Sequence, residues 1–269
     1  MLISNSPRSL YVAYNRQYQF LKTISQQDPT NIVIGTVRST AETEEKVTAD
    51  GLNNVHIVHG DMGSHTSLAA TARAVAEITG GAVDYLIVNG CHVSIEAHMK
   101  SVDEWVGQEE SFLEELMQSM HTNVAGTMFA LNAFMPLVLK SKIKRVAAIS
   151  SAGMVRDFIF EAEDLCAIPY TTAKAAINVL VAKFAARYKH EGVIFVALAP
   201  GYVNTHPEVP EELGKQVFGA LYRWDETLKG PMPPEKSVEM CLRVIDGVKS
   251  EQSGEFLSQH GNTVWLENR

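Results

Sequence analysis

Short, nearly continuous apolar segments alternate with longer amphipathic segments along this chain, and this alternation restricts the fold more than any other feature. Strands that are covered on both faces read as continuous apolar runs. Seven runs are predicted as strands: Leu10–Ala13, Asn31–Val37, Val55–His59, Asp84–Val88, Lys144–Ser150, Gly192–Leu198 and Gly254–Leu257. Helices are predicted near residues 16–27, 40–50, 65–79, 102–139, 170–190 and 233–249. This order predicts βαβ crossovers and an α/β fold with a doubly wound parallel sheet.

No repeat, low-complexity linker or break in composition separates two parts of the sequence, so residues 1–269 are expected to form one domain. The segment 199–234 is long for a loop and is predicted to be a substrate loop or lid. In open parallel sheets, ligands bind beyond the carboxyl ends of the strands, near the point where the strand order reverses. Functional residues are therefore expected directly after the predicted strands.

Composition and charge exclude several classes of protein. Lys and Arg total 23 against 31 for Asp and Glu, which gives a formal net charge of -8. There is no dense basic stretch, so neither a nucleic-acid partner nor an anionic membrane surface is expected. The cysteines Cys91, Cys166 and Cys241 are far apart, which predicts no metal site, no disulfide framework and a reducing, cytoplasmic location. The longest apolar stretch, Val124–Leu139, is shorter than the roughly 20 residues that span a bilayer.

Tyr170 and Lys174 are the strongest candidates for chemistry. They stand four residues apart at the start of a predicted helix, so their side chains share one helix face. A neighbouring ammonium favours the phenolate form of a tyrosine, which suits a general acid or base. A tyrosine and a lysine that merely happen to fall at this spacing are the commoner case.

Two polar residues elsewhere in the chain add weight to this pair. Ser151 follows a predicted strand, where its hydroxyl could orient a substrate oxygen, although such a serine is more often a turn or cap residue. Asn123 interrupts an otherwise apolar helix. A buried amide there either meets a structural partner or holds a water molecule next to Lys174.

This set of residues resembles the short-chain dehydrogenase/reductase family, in particular its fungal-type members, and the resemblance covers nearly the whole chain. It implies a Rossmann-like sheet flanked by helices. It also implies that Ser151, Tyr170, Lys174 and Asn123 act together on a carbonyl or alcohol of a small molecule beside a nicotinamide. The interval between Ser151 and Tyr170 is longer than is usual in the family.

The resemblance also implies residues that bind the cofactor. Asp61 matches the acidic residue that meets the adenine ring, and Asn89 begins the segment that lines the adenosine ribose. Lys174 would bind ribose hydroxyls as well as acting on Tyr170. Val203 and Thr205 fall in the segment that flanks the nicotinamide.

The evidence for NADP is mixed at two places. Arg38 ends the second predicted strand, where an arginine would pair with a 2′-phosphate and favour NADP; an exposed surface arginine is the alternative. Against this, Ala13, Gln17 and Gln19 replace the three glycines of the family's phosphate-binding turn. Those glycines permit a tight turn, close approach of the pyrophosphate and close packing of the helix on the sheet. Weakened or absent dinucleotide binding is expected.

Three interpretations of the lost glycines stay open. In the first, the chain still binds NADP(H) in an altered geometry. In the second, it has abandoned hydride transfer and keeps Tyr170 and Lys174 for acid–base chemistry. In the third, its first dozen or so residues come from a mis-assigned reading frame or splice product. The sequence therefore favours an NADP(H)-dependent carbonyl reductase or alcohol dehydrogenase acting on a bulky small-molecule substrate, with secondary metabolites among the candidates. A cofactor-independent isomerase, dehydratase or cyclase that uses Tyr170 is the alternative, and a non-enzymatic binding or regulatory relative is a third.

Two further expectations concern surfaces. The insert 154–169 is expected to be a solvated loop with Phe158 and Phe160 as aromatic anchors, or else a pocket wall for a bulky aromatic or amine-bearing substrate. The resemblance implies a homodimer or homotetramer that pairs through the helices near 102–139 and 170–190. The apolar residues of those helices include Trp105, Phe112, Leu116, Ala175 and Val179.

Overall fold

The computed structural model describes residues 8–12, 16–203 and 219–266, and within them seven parallel strands form one sheet. The strands are β1 (Arg8–Val12), β2 (Ile32–Val37), β3 (Val55–His59), β4 (Tyr85–Val88), β5 (Arg145–Ile149), β6 (Ile194–Ala199) and β7 (Phe256–Ser258). Their order is β3-β2-β1-β4-β5-β6-β7, so the order reverses at β1, which pairs with both β2 and β4. The predicted doubly wound parallel sheet is confirmed.

Helices cover both faces of this sheet. They are α1 (Arg16–Gln27), α2 (Thr40–Ala49), α3 (His65–Thr79), α4 (Ile95–Met99), α5 (Glu109–Ser119), α6 (Gly126–Val138), α7 (Arg156–Glu161), α8 (Ile168–Arg187), α9 (Gly219–Trp224) and α10 (Pro234–Gly247). Local sequence sets their ends: the Ser64 hydroxyl caps α3 by accepting from the N–H of Ser67, and Gly80 ends it at φ 67°. In the described part of the chain, no helix combines the length and apolar character needed to cross a bilayer.

The prediction of one helix over 102–139 is wrong. Gly107 adopts φ 79°, a left-handed conformation that a continuous helix cannot contain, and α5 begins only after it. Between α5 and α6, residues Met120–Ala125 form a π-helix. Such π segments are rare and often mark functional sites, and hydropathy gives no sign of them because the apolar periodicity continues through the segment.

Two apolar cores lie on opposite faces of the sheet. On one face, α3, α6 and α8 pack around Leu131, Phe134 and Phe195. On the other face, α1 and α10 pack around Phe20 and Leu21. Because both faces are covered, the central strands are apolar throughout, and this is why their sequences were readable as strands.

Candidate active site

Tyr170 and Lys174 lie in the first two turns of α8, beside the carboxyl end of β5. Lys174 is only 2% exposed, and its Nζ donates a hydrogen bond of 2.7 Å to the carbonyl oxygen of Ile149. The same Nζ lies 5.6 Å from the centre of the Tyr170 ring. A buried ammonium is costly unless it is hydrogen-bonded, so the last carbonyl of β5 holds this charge next to the phenol ring. Tyr170 itself is half-buried.

Ser151 approaches the same end of α8. It is half-buried and extended, and its hydroxyl accepts from the N–H of Gly153 at 3.2 Å. Gly153 lies against Thr171, since a Cβ at Gly153 would stand 3.3 Å from the Thr171 methyl carbon. The neighbouring Ser150 hydroxyl donates to the carbonyl of Lys174 at 3.2 Å. The end of β5 is thus fastened to the turn of α8 that carries the Tyr–Lys pair.

Asn123 lies in the π-helix and is completely buried. Its Oδ1 accepts from the N–H of His92 at 2.6 Å, and its Nδ2 donates to the carbonyl of His92 at 3.1 Å. The amide therefore meets a structural partner, which was one of its two expected roles. It ties the segment that follows β4 to the helices packed on α8. The other role, holding a water molecule next to Lys174, stays a prediction.

His98 is a neighbour of Tyr170 that sequence reasoning missed. It lies in α4, and its ring meets the Tyr170 ring edge-on, with the ring centres 5.4 Å apart. Burial lowers the pKa of His98, so the imidazole is neutral at physiological pH. No motif marks this histidine, because α4 is a five-residue helix with no apolar periodicity long enough to predict it.

The residues expected to contact the adenosine half of a cofactor lie at the carboxyl ends of β2, β3 and β4. Arg38 follows β2 and is exposed. Asp61 follows β3, where its carboxylate accepts from the N–H of Gly63 at 2.9 Å. Asn89 follows β4 and is buried. Because β1 separates β2 from β4, these residues surround the point where the strand order reverses.

The nicotinamide side of the expected site is described only in part. Val203 forms an isolated bridge with Met232, and the N–H of Met232 donates to Tyr202 at 2.8 Å. Gly201 adopts φ 82° where a Cβ would stand 2.8 Å from Met232, so only glycine fits there. Thr205 lies outside the described residues, as do all of residues 204–218 within the segment 199–234.

The structure describes part of the segment in which the three glycines are replaced. Ala13 and the Gln17 side chain lie outside the described part, but the Gln19 amide donates to Thr23 at 3.0 Å along its own helix. Helix α1 still lies close to the sheet, because a Cβ at Gly35 of β2 would stand 2.7 Å from Leu21. A strand glycine thus provides space for α1 at a place where no helix glycine is present.

The segment after β4 reads Asn89-Gly90-Cys91. A Cβ at Gly90 would stand 2.8 Å from Met62, whose side chain is buried against this segment. The Cys91 thiol donates to the carbonyl of His92 at 3.3 Å. Packing of Met62 therefore accounts for a glycine directly after Asn89.

The insert before Tyr170 is more ordered than a solvated loop. It contains α7, in which Phe158 is buried and packs on Trp224 with the ring centres 4.9 Å apart. Phe160 is 69% exposed, and the Arg156 guanidinium stacks on its ring at 4.5 Å. The expectation of two aromatic anchors is therefore half wrong: Phe158 is an anchor and Phe160 is not. Within the described ranges, no group of three His, Cys, Asp or Glu residues could hold a metal ion.

Comparisons with known proteins agree with this architecture. The family model for short chain dehydrogenases matches residues 18–214. The chain is 38% identical to the short-chain dehydrogenase/reductase iacC of Pestalotiopsis fici over 93% of this chain and 95% of that protein. It is 33% identical to the short chain dehydrogenase virK of Hypocrea virens over the same shares of the two chains.

Solved structures show the same fold at lower sequence identity. An NADPH-bound carbonyl reductase from chicken fatty liver superposes with a TM-score of 0.74 at 20% identity, over 96% of this chain and 98% of that one. A short chain dehydrogenase from Burkholderia cenocepacia in complex with NADP gives 0.73 at 17% identity, over 95% and 97% of the two chains. With its family match, its fungal relatives and this fold, the chain belongs to the short-chain dehydrogenase/reductase family.

Proposed function

We propose that this chain is an NADPH-dependent carbonyl reductase that acts on a bulky, apolar small molecule, a secondary metabolite among the candidates, and catalyses the reverse alcohol oxidation. The observation that carries the proposal is the Lys174 ammonium, buried at the end of β5 and held 5.6 Å from the Tyr170 ring. A buried charge that serves only stability is easily replaced by an apolar side chain, whereas a charge beside a phenol supports acid–base chemistry.

In this mechanism, each side chain acts at one place on the substrate. The Ser151 hydroxyl holds the carbonyl oxygen, and the Tyr170 hydroxyl gives that oxygen its proton. The Lys174 ammonium favours the phenolate that remains, because an opposite charge nearby stabilises the charged form. NADPH, when bound, supplies the hydride. The return of a proton to Tyr170 completes the cycle, with Asn123 proposed to hold the water that delivers it.

The described residues fit this cofactor at its adenosine end. Arg38 supplies an exposed guanidinium at the carboxyl end of β2, where a 2′-phosphate would lie, and guanidinium groups bind phosphate in a bidentate manner. Asp61 presents a carboxylate next to it for the adenine, and Asn89 a buried amide for the ribose. Lys174 would hold the ribose hydroxyls next to the nicotinamide. The likeness to solved structures with NADPH or NADP supports the same choice of cofactor.

Self-association as a homodimer or homotetramer is part of the proposal. Helices α5 and α8 expose apolar side chains that a second copy would cover: Leu113 is 57% exposed, Met117 58% and Val179 61%. Trp105, in contrast, is buried within its own chain. Light scattering of the purified protein, compared with a variant in which Met117 and Val179 are changed to glutamate, measures whether this face pairs. We also propose a cytoplasmic location, because none of the protein's three cysteines is in a disulfide.

Equilibrium binding of NADPH and NADH to the purified full-length protein tests the cofactor, with Trp fluorescence and thermal unfolding as readouts. We expect binding in the micromolar range, with preference for NADPH. Reduction of a panel of aromatic and aliphatic ketones, followed through NADPH absorbance, tests the reaction. Failure of millimolar NADPH to stabilise the fold contradicts hydride transfer. Cofactor-independent isomerisation, dehydration or cyclisation at Tyr170 is then the reaction to assay, since loss of the turn glycines favours it.

A further inference from the structure

The insert that separates Ser151 from Tyr170 is held by a helix from a distant part of the sequence. Helix α9 comes some sixty residues later in the chain, near the end of the segment predicted to be a substrate loop. Its side chains contact the insert at several atoms. The two segments therefore form one structural unit next to the turn of α8 that carries Tyr170.

Two consecutive residues of α9 make the hydrogen bonds. The Arg223 guanidinium donates through Nε to the carbonyl of Ala162 at 2.8 Å and through Nη2 to the carbonyl of Glu163 at 3.1 Å. The indole N–H of Trp224 donates to the Glu161 carboxylate at 3.0 Å. One arginine and one tryptophan thus satisfy three acceptors in three successive residues of the insert.

These bonds are made where the backbone of the insert is strained. Glu163 adopts φ 50° and Ala167 adopts φ 58°, both in the left-handed region that residues with a Cβ avoid. Such conformations persist only when the surroundings hold them, and they cluster at functional sites. Ala167 is the N-cap of α8 and stands three residues before Tyr170. The conformation of the insert consequently sets where α8 begins.

Apolar packing joins the same parts. Phe158 and Trp224 are buried together in a cluster with Ala162, Trp265 and Leu266, separate from the two cores of the sheet. Half-buried residues that adjoin this cluster come from the turn after Ser151 and from the segment after β6: Ala152, Val155 and Tyr202. The cluster therefore reaches both ends of the proposed reaction site.

We propose that Arg223 and Trp224 are positioning residues, which clamp the strained insert and thereby fix Tyr170 relative to Ser151. The inference rests on the proposed function for its consequence in catalysis, but the clamp itself is a property of the fold. Misplacing a reacting group by about 1 Å costs on the order of a hundredfold in rate. A loosened insert should lower kcat more than it changes the KM for the carbonyl substrate.

The test compares variants that remove or keep the clamp. Arg223→Gln removes the guanidinium that donates to the carbonyls of Ala162 and Glu163. Glu161→Leu removes the carboxylate that accepts from the indole N–H of Trp224. Glu161→Gln keeps a carbonyl oxygen for the Trp224 N–H and serves as the conservative variant. Arg243→Gln is the matched control for loss of an arginine, because Arg243 is exposed on α10 and donates only weakly, at 3.4 Å, to a carbonyl of its own helix.

Amide hydrogen exchange of the full-length protein is measured across residues 156–174 and, for comparison, across α3. We expect exchange in 156–174 to become about tenfold faster in Arg223→Gln and Glu161→Leu, while α3 is unchanged and Glu161→Gln and Arg243→Gln match the wild type. In the ketone assay, kcat should fall about ten- to a hundredfold in the first two variants only. If Arg223→Gln does not fold, the difference between Glu161→Leu and Glu161→Gln in exchange and kcat tests the clamp instead.

Two results overturn the proposal. Unchanged exchange in both clamp variants shows that Arg223 and Glu161 do not hold the insert. Faster exchange with an unchanged kcat shows that the insert does not position Tyr170. A wild-type protein without reductase activity contradicts the proposed function instead, and exchange at residues 168–174, which carry Tyr170 and Lys174, then decides the clamp by itself.

Discussion

The two halves of the sheet differ in how closely their residues match the family pattern. In the half formed by β4, β5 and β6, the serine, tyrosine and lysine of the family pattern lie around the end of β5 and the start of α8, and the asparagine binds the segment after β4. In the half formed by β3, β2 and β1, the phosphate-binding glycines are replaced, and Arg38 and Asp61 are the remaining markers. The half that carries the proposed reaction residues, here called the reaction half, thus keeps the family pattern, while the half proposed to bind the cofactor, the cofactor half, departs from it.

This difference shows that the two halves respond to different physical demands. Acid–base chemistry requires particular functional groups at particular atoms, so few residue types can serve. Close approach of a helix to a sheet requires only space, which Gly35 of β2 provides next to Leu21 of α1. A packing requirement has several solutions, and a glycine motif is one of them.

The largest expected effect is that of Tyr170→Phe, which removes only the phenol oxygen. General acid–base groups contribute about 10²- to 10⁴-fold to the rate, so kcat/KM for ketone reduction should fall by that factor. NADPH affinity should stay within about twofold, because the variant leaves the cofactor half intact. Tyr18→Phe is the control in the other half, because the Tyr18 hydroxyl lies within hydrogen-bond distance, 2.9 Å, of the Asp50 carboxylate and of the carbonyl of Lys46. Equal losses in the two variants would contradict the division into halves.

Asn123→Ala tests the connection between the halves. The variant leaves the N–H of His92 without its side-chain acceptor, while the His92 carbonyl keeps the Cys91 thiol as a donor, in a region where Asn123 is completely buried. The unsatisfied N–H costs about 1–3 kcal/mol and the lost hydrogen bond to the carbonyl about 0.5–1.5 kcal/mol, so the free energy of unfolding should fall by about 2–4 kcal/mol. Urea unfolding measures it. A loss below about 0.5 kcal/mol would mean that solvent reaches these groups, and the connection would then be weak.

The sequence predicted the parts of this molecule that depend on periodicity and on functional groups. Continuous apolar runs predicted every strand end to within two residues. The Tyr170–Lys174 spacing identified the turn of α8 that meets β5. Neither the π-helix around Asn123 nor the edge-on contact of His98 could be read in this way. Both depend on tertiary packing between segments far apart in the chain. Phe158 was predicted as an aromatic anchor, but its partner Trp224 was not, since the two residues are 66 positions apart in the chain.

Arg38→Ser addresses the cofactor half directly. If Arg38 pairs with the 2′-phosphate, its loss should weaken NADPH binding about tenfold and leave NADH binding within about twofold, because only NADPH carries that phosphate. Fluorescence titration with the two cofactors measures the ratio. Arg73→Ser on α3 is a matched control for the loss of positive charge. A parallel loss of affinity for both cofactors would assign Arg38 a structural role on the surface.

The smallest expected effect concerns His98 and the pH dependence of stability. Burial lowers the pKa of His98 in the folded protein, whereas an unfolded histidine titrates near 6.5. As the pH falls below about 6.5, the unfolded chain binds a proton that the folded protein does not, so stability decreases with falling pH. His98→Phe keeps an aromatic ring against Tyr170 and removes this titration. Urea unfolding between pH 5.5 and 7.5 should therefore show a smaller loss of stability towards acid pH in the variant, since other histidines contribute equally to both proteins. An unchanged slope would mean that His98 takes up its proton in the folded state. The imidazole beside Tyr170 would then carry a charge in the reaction half, and the phenol would have two cations as neighbours instead of one.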